Sequence, residues 1–347
     1  MAKRHTEQTH QQKMGQYFTT NADYILDGYE SVVKNKTVID PFAGGKDLLN
    51  WASRCGASNV IGYDLEPKSD DITQNDSIAN PPQYNGVVVS NPPYLSKNKF
   101  KGDKGIFDQW GQNDLYKCHL ASLSNCDEAI VIIPSNFLCE GRATAREMLF
   151  KTHYIVSAKY WNTPVFEDAT TGICVIHIKK GVRPYQRFQL YHGTENTSFE
   201  MKLEKRYNYL HGKDFLEIVQ SVSGKFKVVK TDAGMSRPNT NIVLGLLDKG
   251  AWRLGLSYNE GEAIYCSPKS FTTYQLTLPG KTLSEDDQRK LVKEFNEILV
   301  SHRDRYHDMF LSNFMGPKQK ILSRKMAHSL IEYIIFGGIR TLFQKSG

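Results

Sequence analysis

Gly86-Val87-Val88-Val89-Ser90-Asn91-Pro92-Pro93-Tyr94 is the stretch that decides the fold. Three β-branched valines that run into a double proline describe a buried strand that stops abruptly, because proline has no amide hydrogen with which to continue a sheet ladder. Asn91 therefore stands at the carboxyl end of a strand, in a turn stiffened by two fixed φ angles and by the extended backbone that a following proline imposes. The Asn91 side-chain oxygen and the Pro92 carbonyl are two acceptors matched to the two hydrogens of an exocyclic amine, and Tyr94 offers a flat stacking surface. Such acceptors localise the lone pair of a conjugated amine and aim it at an electrophile, which is catalysis by preorganised polarity rather than by a strong base. The same residues also suit a proline turn that only caps a core strand, and the choice between the two rests on their surroundings.

Upstream, Thr37-Val38-Ile39-Asp40 reads as a short buried strand, followed by Pro41-Phe42-Ala43-Gly44-Gly45 and a helix through Asp47, Leu48, Leu49 and Trp51. Strand, glycine turn and helix make the nucleotide-binding crossover, in which glycines let the backbone approach a ligand, although the pattern of three spaced glycines is absent. A second strand over 59–63 ends in Asp64, twenty positions beyond Gly44, where an acidic residue binds a ribose diol. Asn75, Asp76 and Ser77 then precede the valine strand and offer a carboxylate to an adenine amine. Before all of these, residues 15–20 form a compact aromatic and hydroxyl cluster ahead of a helix expected over 21–33, capped by Asn21. That cluster either walls a small-molecule pocket or staples the helix to a sheet. Residues 1–14 have no hydrophobic period and read as a mobile leader.

The chain's 347 residues suggest two domains, and 40% hydrophobic with 11% aromatic residues can fill substantial cores. The longest apolar stretches, 129–134 and 331–336, fall far short of a membrane span, and the amino terminus carries no apolar signal core. The six cysteines lack the paired spacing of a zinc site, so the expectation is no metal and reduced thiols in a cytoplasmic protein. The net charge of +7 is divided unevenly: residues 1–180 hold 19 Lys+Arg against 20 Asp+Glu, and 181–347 hold 25 against 17. A basic half beside a neutral one suggests a polyanionic partner, nucleic acid before membrane.

Taken in order, residues 15–20, Asp40 to Gly45, Asp64, Asp76 and Asn91 to Tyr94 resemble the ordered motifs of S-adenosylmethionine-dependent DNA adenine-N6 methyltransferases of the restriction–modification type. The order is similar to their gamma class, with cofactor motifs first, the catalytic motif next and target recognition last. The resemblance covers residues 15–180. It implies an α/β fold: a doubly wound, Rossmann-like methyltransferase sheet over 15–180, with a C-terminal α+β target-recognition, DNA-binding domain over 181–347. It implies that S-adenosylmethionine is held by Gln16, Tyr17, Phe18, Thr19, Asp40, Pro41, Phe42, Ala43, Gly44, Asp64, Leu65, Asp76, Ser77 and Asn91. Catalysis would fall to Asn91, Pro92, Pro93 and Tyr94, with Phe166 stacking on an adenine flipped out of double-stranded DNA. A cognate restriction endonuclease acting on the same site, a monomeric state and no membrane partner complete the expectation. Two residues depart from the family pattern: Thr20, where proline is usual, and Lys46, where a second glycine is usual.

Lys97, Lys99, Lys101 and Lys104 form a basic loop just after the proline turn, suited to DNA phosphates or to plain solvation. Asp114, Leu115 and Tyr116 open a helix, and strands follow at 129–133 and 173–178. Beyond Lys180 short β pieces are expected at 188–191, 226–229, 251–256 and 271–278, with a helix over 213–222. Ser284-Glu285-Asp286-Asp287 reads as a capped helix start whose buried face is Leu291, Phe295, Ile298, Leu299 and His302. Arg237, Asn239 and Asn241 carry side chains able to read base edges, while Lys318, Lys320 and Arg324 suit phosphates. The rival readings are an RNA adenine or protein-glutamine methyltransferase, and a non-catalytic DNA-binding specificity protein.

Overall fold

The computed structural model describes residues 19–161, 163–166, 172–222, 229–230, 238–248, 254–261, 272–278, 280–313 and 320–338. The chain divides into two compact units, Met1–Phe137 with Arg142–Tyr209, and Leu138–Gly141 with Leu210–Gly347.

Among the described residues the first unit is built on one mixed sheet of nine strands. They are β1 (Thr37–Asp40), β2 (Asn59–Asp64), β3 (Ile72–Gln74), β4 (Val87–Ser90), β5 (Glu128–Pro134), β6 (His153–Tyr160), β7 (Ile173–Lys180), β8 (Gln186–His192) and β9 (Ser198–Leu203). Their order across the sheet is β3-β2-β1-β4-β5-β7-β6-β8-β9. β1 to β5 pair in parallel, whereas β7 runs antiparallel between β5 and β6. The valines of β4 and the 129–134 stretch of β5 are buried along their whole length, as continuous apolar runs are in strands covered on both faces.

From β1 the order runs outward one way to β2 and β3, and from β4 the other way to β5. The β1–β4 boundary is therefore the topological switch point, where open α/β sheets leave a crevice at the carboxyl ends of the strands. Asp40 ends β1 and Ser90 ends β4, with Ile39 paired to Val88 beneath them. This is the doubly wound α/β sheet expected from the sequence.

Two expectations need correction. The helix over 21–33 is two short helices, Ala22–Ile25 and Glu30–Val33, because Gly28 at φ 90° adopts a left-handed conformation that ends helical propagation. Asn21 makes no side-chain cap and instead donates from Nδ2 to the Val165 carbonyl at 3.2 Å. The sheet also does not stop at Lys180: β8 pairs in parallel with β6, β9 pairs with β8, and the first unit runs to Tyr209. β8 alternates buried and exposed residues, the pattern of a strand covered on one face, and so resembles a piece of a separate β domain. Residues 210–347 still hold 20 Lys+Arg against 14 Asp+Glu, so the positive excess stays with the second unit.

Among the described residues that unit carries a four-stranded antiparallel sheet: β10 (Val229–Lys230), β11 (Ile242–Gly245), β12 (Gly255–Tyr258) and β13 (Thr273–Thr277), in the order β10-β13-β11-β12. The helix Glu285–Arg305 starts where the sequence places it, with the Ser284 hydroxyl accepting the Asp287 amide at 3.1 Å. Its Leu291, Phe295 and Leu299 join Leu244, Leu256 and Tyr274 in one apolar core.

Close backbone packing at the foot of β4 gives a stability test. A Cβ on Gly86 would lie 2.4 Å from the Thr37 carbonyl oxygen, a backbone atom that cannot rotate away, whereas the shortest contacts of one on Gly62 would be with the side-chain ends of Ile72 and Leu49, at 2.3 and 2.8 Å, with Ala43 Cβ at 3.1 Å. Gly86→Ala is expected to destabilise the protein by more than Gly62→Ala, with the latter costing about 1–3 kcal/mol as an overpacking change. Urea unfolding of both variants checks the order.

Candidate active site

Pro41 follows β1, and Pro92 with Pro93 follow β4 after one residue, so both strands lose their ladder donors at the same edge of the sheet. Asn91 is half-buried there and its amide is held at both ends. Its Nδ2 donates to Thr19 Oγ1 at 3.1 Å, and its Oδ1 accepts from the Tyr94 hydroxyl at 2.6 Å. The Tyr94 oxygen also lies 3.0 Å from the Ile132 carbonyl, so one phenolic proton is shared between two acceptors. These bonds fix the amide's orientation, with its oxygen toward Tyr94 and its nitrogen toward Thr19. Tyr94 itself is half-buried, edge-on to Tyr116 at 6.2 Å between ring centres.

One strand over, Asp40 is 1% exposed. Its Oδ1 accepts the Phe42 amide at 3.0 Å, and its Oδ2 has no hydrogen-bond partner among the described residues. Burial pushes its pKa up to about 8 against the opposing Phe42 bond, and the neighbouring Asp64 and Asp47 charges add to the rise. A buried carboxyl with an unspent oxygen suits a cationic group.

The turn that follows is left-handed at Gly44 (φ 48°) and at Lys46 (φ 68°). Lys46 is the departure from the family's glycine, and the backbone keeps the conformation that favours glycine there, at a cost of about 1–2 kcal/mol for a side chain. Its ammonium is tied to Asp71 at 2.7 Å. Asp64 spans the turn from β2: Oδ2 accepts the Gly44 amide at 2.8 Å and Oδ1 the Glu66 amide at 2.9 Å. Leu65 beside it is 45% exposed and presents bare apolar surface. Asp76 turns its Oδ1 onto the Ile78 and Ala79 amides, and Ser77 is buried, accepting from Asn75 Nδ2 at 2.9 Å.

Under these loops lies a small apolar cluster that the sequence reading missed. Ile78, Leu95, Phe107, Leu115 and Cys118 are buried together, with Phe42 and Trp110 packed against them. Trp110 Nε1 donates to the Ile78 carbonyl at 2.9 Å. The segments after Asp40, Asp76 and Tyr94 thus rest on one floor. His119, also missed, is fully buried in the helix Leu115–Ser122, and burial lowers its pKa to about 3. A lone histidine on an apolar helix gives no periodic signal that would have singled it out.

The remaining expected site residues divide. Gln16, Tyr17, Phe18, Arg237 and Lys318 lie outside the described residues. Phe166 is 6% exposed and packs in the cluster of Trp161, Val175 and Ile132, so it is not displayed as an open stacking face. Lys99, Lys101 and Lys104 are exposed, while Lys97 is ion-paired with Asp108. The Asn239 amide is bonded to the backbone: its Nδ2 donates to the Leu278 and Lys281 carbonyls at 2.7 and 3.0 Å, and its Oδ1 accepts the Leu278 amide at 2.8 Å. Asn241 donates from Nδ2 to the Tyr258 hydroxyl at 3.2 Å. Lys320, at 9% exposed, is buried rather than set out for phosphates, whereas Arg324 is exposed with its guanidinium 5.4 Å from the Tyr274 ring centre. Among the described residues no group of three or more His, Cys, Asp or Glu could hold a metal ion, and no helix is long and apolar enough to cross a membrane.

No protein-family model matches the chain, and no curated protein matches it. Solved structures do resemble it. A modification subunit ascribed to a type I restriction enzyme of Vibrio vulnificus YJ016 is 14% identical with a TM-score of 0.42, over 51% of this chain and 47% of that one. The methyltransferase subunit of a type I restriction-modification system from Streptococcus thermophilus is 17% identical with a TM-score of 0.40, over 59% and 53%. The M protein of the type I restriction enzyme EcoKI is 18% identical with a TM-score of 0.42, over 51% and 48%. The match thus spans about half the length of each of these proteins.

The Asp40 environment sets a pH dependence of folding. Its carboxyl is raised in the folded chain, so the stability it contributes is fully present below the ordinary carboxylate range and is lost as pH rises through about 8. Asp40→Asn removes that loss. Wild type is expected to fall relative to Asp40→Asn by more than about 1 kcal/mol between pH 4 and pH 8.5, read from urea unfolding at each pH.

Proposed function

We propose that this protein is an S-adenosylmethionine-dependent methyltransferase that modifies N6 of adenine in double-stranded DNA, of the restriction–modification type. The observation that carries the reading is the fixed amide of Asn91 at the carboxyl end of β4, one strand from the unspent carboxyl oxygen of Asp40. The residues fit the cofactor. Asp40 Oδ2 suits its positive end, the Gly44 turn allows close backbone approach, and Asp64 and Leu65 offer a carboxylate and an apolar surface to an adenosine. When bound, S-adenosylmethionine supplies an electrophilic methyl group on a sulfonium.

The chain's own part is to make a poor nucleophile attack. An exocyclic adenine amine is conjugated with its ring, and its lone pair is spread into it. Asn91 Oδ1 and the Pro92 carbonyl accept its two hydrogens and draw the lone pair out of conjugation, toward the cofactor side of the switch point. An amide oxygen accepts two hydrogen bonds, so the amine can join the Tyr94 hydroxyl there or replace it. The Tyr94 ring supplies one stacking face to compensate the few kcal/mol, roughly, of taking a base out of its duplex. Phe166 supplies the other only if it leaves its apolar cluster. The positive excess of the second unit suits the DNA backbone, and this favours DNA over a protein substrate. A cognate endonuclease acting on the same DNA sequence follows from the same reading.

The test is transfer of labelled methyl from S-adenosylmethionine to adenine-containing duplex, with RNA and a glutamine-containing peptide as parallel substrates. N6-methyladenine in the duplex is the expected product, and label only in RNA or peptide would overturn the DNA assignment. Asn91→Ala is expected to lose about 100-fold or more in turnover, the scale of removing one preorganised polar contact. Its cofactor affinity, measured by calorimetry, should stay near the wild-type value.

A further inference from the structure

We propose that His119 is a positioning residue that holds the Asn91 turn and the Asp40 glycine turn at a fixed separation, an inference that rests on the methyl-transfer reading above. The imidazole lies fully buried between the two turns. On one side its Nε2 is 2.9 Å from the hydroxyl of Ser90, the residue immediately before Asn91. On another side the ring meets Phe42 edge to face, with 4.8 Å between ring centres and planes at 89°. Phe42 belongs to the glycine turn, and its backbone amide is the donor to Asp40. One side chain of the helix Leu115–Ser122 therefore touches both halves of the site.

The hydrogen bonds also fix the tautomer. Ser122 donates its hydroxyl proton to the His119 carbonyl at 2.8 Å, so toward Nδ1, 3.4 Å away, it offers only a lone pair. Nδ1 therefore carries the ring proton, and Nε2 is the acceptor for the Ser90 hydroxyl. Burial is what lowers the pKa of this ring, and it favours the neutral form. The ring acts as a rigid polar spacer and not as a base.

Methyl transfer needs the amine nitrogen, the methyl carbon and the sulfur in line, and the amine and the cofactor are held by different turns. A brace that touches both turns sets that alignment without touching either reactant, and small misplacements of this kind are costly in rate. His119→Phe keeps an aromatic ring against Phe42 and removes the acceptor for Ser90. Ser90→Ala removes the donor. Each leaves one buried polar group unpartnered, while the double variant leaves neither.

The experiment measures kcat, KM for DNA, cofactor affinity and thermal stability for wild type, Ser90→Ala, His119→Phe and the double variant. Each single variant is expected to lose about 10- to 100-fold in kcat, with cofactor affinity and KM for DNA changed by less than about threefold. The double variant should recover thermal stability relative to the singles and remain as slow as either of them. Singles that lose stability at wild-type kcat, a double variant whose kcat recovers with its stability, or one whose losses multiply would each overturn the positioning role. Wild type that transfers no methyl group to DNA overturns the functional reading and the positioning role together; an active wild type with unimpaired variants overturns the positioning role alone.

Discussion

Two neighbouring parallel strands end at proline on the same edge of a sheet, and the site depends on that pairing. Ile39 faces Val88 across the β1–β4 ladder, Asp40 and Ser90 are the last strand residues, and prolines close both continuations. The order of strands reverses between β1 and β4, the arrangement that opens a crevice at the carboxyl ends of the strands. The crevice therefore receives an acid from one strand and an amide from the other. Placing either residue one position along its strand would turn its side chain to the opposite face.

Local costs gather around that crevice, as they do at working sites. Asp40 is a buried carboxyl with one oxygen unspent, Lys46 holds a left-handed backbone, and Asn91 has its amide fixed by Thr19 and Tyr94. The first two would be disfavoured in a protein built only to be stable. Together all three leave a carboxyl, a left-handed turn and an oriented amide within a few residues of the switch point, resting on the apolar floor of Ile78, Leu95, Phe107 and Leu115. The floor explains how loops from three separate strands keep one arrangement, since each contributes a side chain to it.

The parts legible in the sequence are those dictated by short-range chemistry. Runs of β-branched residues bounded by proline gave β1, β4 and β5, and a serine followed by three acids gave the start of the helix Glu285–Arg305. What was not legible depends on partners far along the chain. Asn239 looks like a base reader until Leu278 and Lys281, about forty residues away, take its amide. Lys320 looks like a phosphate ligand until its strand buries it, and Phe166 looks like a stacking ring until Trp161 and Val175 pack around it. β8 and β9 alternate as strands of a separate sheet would, and only the pairing of β8 with β6, and of β9 with β8, makes them part of the first unit. His119 has no sequence signature, because its importance lies in being within reach of Ser90 and Phe42 at once.

Whether the oriented amide of Asn91 serves to methylate adenine in DNA is decided by a map of modified bases in the DNA of a methylation-free bacterial host that expresses this chain, beside a host expressing Asn91→Ala. N6-methyladenine is expected at one recurring sequence in the first genome and at none in the second. Unmodified adenine in both genomes, from a soluble protein that binds S-adenosylmethionine, would rule that role out.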